Sequence, residues 1–106
     1  MKSLLQQFDD AMFNIYHRAK NEAGYTPKLF FEMLKEHHGQ VTAKLLINST
    51  KPSIGYTNLY LRGRVDLTVE AMVVENSKWH ELFTSVELDK ARRRLTAYHY
   101  TPRNAG

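Results

Sequence analysis

From its first residues the chain places apolar side chains three or four apart. Leu4, Phe8, Ala11, Met12, Ile15 and Ala19 share one face of a helix, which leaves Asp9 and Asp10 on the solvated side. Ser3 stands where an N-cap is needed and Gly24 where a helix ends. Thr26 followed by Pro27 predicts a capped second helix with proline in its first position, carrying Phe30, Phe31 and Leu34 inward and stopping at Gly39. Val41, Leu45 and Leu46 predict the buried side of a short third helix. It runs out in the loop Asn48-Ser49-Thr50-Lys51-Pro52.

The second half repeats this grammar. Ser53 is the expected cap of a helix carrying Tyr56, Leu59 and Tyr60 and closed by Gly63; Asp66 is the expected cap of another, with Leu67, Ala71 and Val74 on one face. Asn76-Ser77 breaks that helix, and a short turn around Trp79, Leu82 and Phe83 follows. Thr84 with Glu87 three residues later forms a capping box, opening a last helix lined by Leu88, Ala91, Leu95 and Tyr98. Leu67 to Val74 is rich in β-branched residues, yet a lone strand would have no partner, so this stretch too reads as helix. The fold class is therefore all-α: a compact single-domain bundle of six or seven short helices over residues 1–100, with residues 101–106 expected as a flexible tail.

Composition narrows the setting. The chain has 106 residues, 42% hydrophobic and 25% charged, the profile of one globular domain able to bury a core unaided. It contains no cysteine, which excludes disulfide scaffolds and thiolate zinc sites and fits a reducing compartment. The N-terminal stretch lacks a signal-peptide apolar core, and the longest apolar run, Ala71 to Val74, is far too short for a bilayer. A cytoplasmic protein that does not engage membranes is the simplest expectation. The formal net charge of +4 leaves room for a nucleic-acid or acidic partner.

Candidate chemistry is sparse. His17, His37, His38, His80 and His99 contain no pair at the His-x-x-x-His spacing of a helical zinc site, and the adjacent His37 and His38 point about 100° apart on a helix. No metal or cofactor is expected; phosphate loop, dinucleotide fingerprint and serine elbow are all missing from the sequence. Asp9, Asp10, Glu70 and Glu75 read as solvated carboxylates without an acid–base pairing. Positive charge gathers in two places, Arg62 and Arg64 around Gly63, and Arg92-Arg93-Arg94 beside Lys90. These five arginines are the candidate nucleic-acid contacts, since clustered arginine supplies most affinity for phosphate backbones. Dipole complementation at the end of the last helix accounts for the second cluster equally well.

Arg94 followed by His99 resembles the arginine-then-histidine signature of one class of helical ribonucleases, in which arginine neutralises the phosphate and histidine moves the proton. Leu95 stands where that signature has a polar residue, and the two positions lie about 140° apart on an ideal helix. A helix-turn-helix around Gly39 fits poorly, because Lys35 and His38 occupy positions that want apolar residues. A protein-interaction or self-association role draws on the bulk of Phe30, Phe31, Tyr60, Trp79 and Phe83, more than short helices readily hide. Gly24-Tyr25-Thr26 recurs as Gly55-Tyr56-Thr57, with poorly matching flanks.

One wider pattern spans Gly24 to Leu95. Gly24-Tyr25-Thr26-Pro27, Phe31, Met33, His37, Gly39, Pro52-Ser53, Gly55-Tyr56-Thr57, Gly63-Arg64, Asp66 to Ala71, Trp79, Leu82-Phe83-Thr84, Glu87-Leu88, Ala91-Arg92 and Arg94-Leu95 together resemble a small helical module of unassigned function. That module is widespread in prokaryotic proteins, free-standing or appended to larger ones, some restriction-like or defence-associated. The resemblance implies an accessory or interaction role near nucleic-acid metabolism and transfers no catalytic site. Two function classes follow: a non-enzymatic binding module, with nucleic acid the favoured partner through the five arginines and protein interaction or self-association the alternative, and the ribonuclease reading of Arg94 and His99.

Overall fold

Most helix boundaries follow local chemistry. In the computed structural model, which describes residues 1–103, helix α1 spans Leu4–Glu22 and opens with a reciprocal capping box. The Gln6 N–H donates to Ser3 Oγ (3.2 Å) and the Ser3 N–H to Gln6 Oε1 (2.9 Å), satisfying two donors that a helix start leaves orphaned. Gly24, at φ +66, turns the chain away. Helix α2 covers Lys28–Asn48 and α3 Ile54–Leu61, the latter capped by Ser53 Oγ, which accepts from the Tyr56 N–H. A 3-10 turn at Val65–Leu67 leads into α4, Val69–Glu75; a second, Ser77–Leu82, leads into α5, Ser85–Ala97, whose Thr84–Glu87 box forms as the sequence requires. Of the tail expected over 101–106, residues 104–106 lie outside the described residues; the Arg103 N–H donates to Glu75 Oε2 at 2.8 Å.

The described residues are helices, turns and connections without a strand, packed as a compact all-α bundle. Leu67 to Val74 is indeed helical, split between the first 3-10 turn and α4. α1 lies along α2, and α4 packs on α5. Phe8, Met12, Leu34, Ile47, Val73, Val74 and Leu95 are fully buried between them. Trp79 and Phe83 meet the Phe8 ring edge-to-face at centroid distances of 5.2 and 5.5 Å, geometries worth about 0.5–1.5 kcal/mol each beyond their burial. They are core residues, so they are not part of an exposed aromatic surface. No helix among the described residues is long and apolar enough to cross a membrane.

Three expectations fail for physical reasons. Thr26 does not cap α2: the helix starts at Lys28 without a side-chain cap, and Pro27 is buried instead. The break expected at Gly39 is present one residue earlier, at His38 (φ 65, ψ −179), and a new helical segment starts at once because Asp9, on α1, accepts the Gly39 N–H at 2.5 Å. A Cβ on Gly39 would lie 2.7 Å from Asp9 Oδ1 and 3.2 Å from Asp9 Cα, so the residue matters for the close approach of two helices. The break also resets the phase of α2. Thr42, Ala43 and Ile47 are buried, whereas Val41 and Leu45, expected inside, are 47% and 50% exposed. Asp66, finally, does not cap α4. Thr68 does, accepting from the Ala71 N–H at 3.1 Å, while Asp66 binds arginine.

Candidate interaction site

The connections on either side of α2 and the start of α3 converge on one apolar cavity of about 80 Å³. Ile15 and Ala19 of α1 line it with Tyr25 and Pro27 of the following connection and Phe30 and Met33 of α2. Ser53, Gly55, Tyr56 and Leu59 contribute from α3 and its cap, and Leu67, Thr68, Val69 and Glu70 from the start of α4 and the turn before it. Both copies of the Gly-Tyr-Thr tripeptide therefore reach the same place, although they are not structural duplicates. Gly24 makes a left-handed turn, whereas Gly55 sits in the first turn of α3, where an added Cβ would lie 4.0 Å from the Tyr25 hydroxyl.

Leu29 and Ile54 also line this cavity, yet they are 64% and 69% exposed and so form its rim. Periodicity explains why. Ile54 is about 200° around α3 from the buried Tyr56, and Leu29 about 140° around α2 from the buried Leu34, so neither can follow its helix into the core. Helix phase was the signal that could have marked them in the sequence. The aromatic residues expected to be exposed behave differently. Phe31 stacks on Tyr16 at 4.8 Å, Phe30 packs against the core, and of the five only Tyr60 (40%) reaches the exposed class. The exposed apolar surface is mainly aliphatic, and Leu61 together with the Val41–Leu45 pair on α2 adds to it.

The cavity's polar end is a buried ion pair that the sequence did not reveal. Glu70, read as solvated, is 2% exposed and accepts from Arg94 Nη1 at 2.8 Å. Arg94 also donates to the carbonyls of Leu46 (3.1 Å) and Ser49 (2.6 Å), so its guanidinium faces inward and ties α5 to α4 and to the end of α2. Burial pushes the Glu70 carboxyl above its usual range, against the opposing hydrogen bond and charge of Arg94. Burial, reinforced by the Glu70 charge, pushes the Tyr56 phenol up as well; its hydroxyl donates to the Arg94 carbonyl at 3.3 Å.

The remaining candidate arginines do not gather. Arg64 lies between Glu22 (2.7 Å) and Asp66 (3.0 Å), and those contacts raise its pKa further while Arg18 and Arg64 together hold Glu22 at about 2. Arg62 donates to the Ala23 carbonyl at 3.1 Å, with its guanidinium 5.1 Å from the Tyr25 ring centre, completing the end of α1. Arg92 and Arg93 stand on the exposed side of α5, where among the described residues Asp89 is their partner. His99 is exposed at φ 60, beyond the end of α5, whereas Arg94 turns to Glu70. The five arginines thus divide into one largely buried residue, two that hold the end of α1, and two on an open surface. Compared with protein-family models, curated proteins and solved structures, the chain gave no match.

Proposed function

We propose that this chain is a non-enzymatic interaction module whose cavity receives an apolar group from a protein partner. The observation that carries the reading is the cavity itself: an apolar chamber whose rim residues, Leu29 and Ile54, stay largely exposed. Uncovered aliphatic surface beside a preformed chamber is what a binding surface requires. An accessory role of this kind agrees with the resemblance to the prokaryotic helical module. The ribonuclease reading draws no support from the site, because the Arg94 donors are committed to Glu70, Leu46 and Ser49.

A second reading, nucleic-acid binding, is favoured by one observation: the neighbouring Arg92 and Arg93 are both exposed on α5. One experiment separates the two. Tagged chain is purified from native cells as wild type, as Leu29→Glu with Ile54→Glu, and as Arg92→Glu with Arg93→Glu, and each is titrated with duplex DNA and RNA across a salt series. The interaction module predicts a stoichiometric protein partner that only the Leu29/Ile54 variant loses. Salt-dependent nucleic-acid binding that only the arginine variant loses would replace it with the second reading.

A further inference from the structure

We infer, building on the interaction-module reading, that the cavity's occupant is an acidic peptide segment that inserts a single aliphatic side chain, of leucine or isoleucine size. Volume sets the anchor. A chamber of about 80 Å³ is about half the size of the 150 Å³ apolar cavity that accepts benzene. The branched end of one aliphatic side chain fills a space of that size. The exposed rim sets the kind of ligand. Filling the chamber alone would leave Leu29 and Ile54 in water, whereas a peptide segment lying across the mouth covers both.

Charge sets the flanks of that segment. The mouth is bordered by the first turns of α2 and α3, and neither turn contains an acidic residue. Helix N-termini carry positive potential. Lys28 lies between the lining residues Pro27 and Leu29, and Lys51 two positions before the lining Ser53. Both lysines are exposed and make no ion pair among the described residues. Carboxylates flanking the anchor would meet the positive ends of α2 and α3, with both lysines close by in sequence. A second copy of the chain is disfavoured as occupant, since it would bring another net +4 to the same basic mouth.

The test pans a random 12-residue peptide library against the full chain, with Ile54→Glu as counter-screen, and maps an enriched peptide by NMR on isotopically labelled protein. Folding of every variant is checked by its own amide spectrum. The expected result is enrichment of one leucine or isoleucine flanked by Asp and Glu, with shifts centred on Leu29, Met33, Ile54 and Tyr56. Lys28→Glu with Lys51→Glu should weaken that peptide at least about tenfold, and rising salt should do the same. Peptides that need Ile54 but carry neutral or basic flanks would overturn the acidic partner and leave the interaction module standing. Free isovalerate binding as tightly as the peptide, or a sedimenting dimer dispersed by Ile54→Glu, would also overturn it. No peptide dependent on Ile54 would sink this inference and the module together.

Discussion

The inner and outer faces of α5 carry adjacent arginines with opposite fates. Arg94 points inward, 11% exposed at its side chain, and is held by Glu70 and two carbonyls. Arg92 points outward, 46% exposed, with a pairing to Asp89 at 3.3 Å on the same helix turn. Successive residues on a helix diverge by about 100°, so a run of three arginines cannot present one surface. A charge cluster in sequence is thus not a charge cluster in space. The first arginines of the run remain available to a partner, and the last is an internal strut.

That contrast is open to direct attack, and the largest effect is expected at Arg94. Arg94→Ala leaves the Glu70 carboxylate buried without its cation, and breaking such a pair costs about 3–5 kcal/mol. Urea unfolding at neutral pH should show this loss. Replacing the pair together, Glu70→Leu with Arg94→Met, should recover most of it. A loss below about 1 kcal/mol for Arg94→Ala would mean that Arg94 is a surface residue after all.

A pH-dependent effect comes next, at the other end of the inner face. Burial alone would raise the Glu87 pKa, but the Thr84 N–H, the Asn48 amide and the Lys44 ammonium overcome it and hold the carboxyl at about 2, below its ordinary value of 4.5. A carboxyl with a depressed folded-state pKa stabilises above its unfolded pKa and loses that contribution as the pH falls. The stability advantage of wild type over Glu87→Gln should therefore be full above pH 4.5 and shrink steadily toward pH 2. An advantage independent of pH would show that the charge of Glu87 plays no part. Glutamine keeps an oxygen for the Thr84 N–H but loses the acceptor of the Asn48 amide, so the pH-dependent part of the difference is what reports the charge.

Smaller still is the cap itself. Thr84→Ala removes the acceptor for the Glu87 N–H and should lower stability by about 1 kcal/mol, read as a shift in the urea midpoint at constant slope. The smallest effect belongs to the outer face. Arg92→Ala and Arg93→Ala should each change stability by less than about 0.5 kcal/mol, since exposed pairs of this kind contribute little. A larger loss from either would erase the distinction between the faces.

What the sequence decided was local. Ser3 with Gln6, Ser53 and Thr84 with Glu87 cap the helices they precede, and Gly24 and Gly63 turn the chain at positive φ, because the partners in each device lie within a few residues. Leu67 to Val74 is helical for a similar reason: with no strand among the described residues to pair with, a lone β segment would leave its backbone groups unpaired. What tertiary structure decided was everything whose partner lies far along the chain. Asp9 restarts α2 at Gly39 from thirty positions away and so rotates Val41 and Leu45 outward, a change no periodicity within α2 encodes. Glu70 looked solvated because its cation lies twenty-four positions on, and Arg94 looked available for the same reason. The cavity is assembled from four α-helices, a 3-10 turn and the connections between them, and its rim residues are ordinary first-turn aliphatics until Tyr25, Pro27 and Tyr56 are packed beside them. Caps and turns depend on neighbours in sequence, whereas burial, charge pairing and exposed surface depend on neighbours in space.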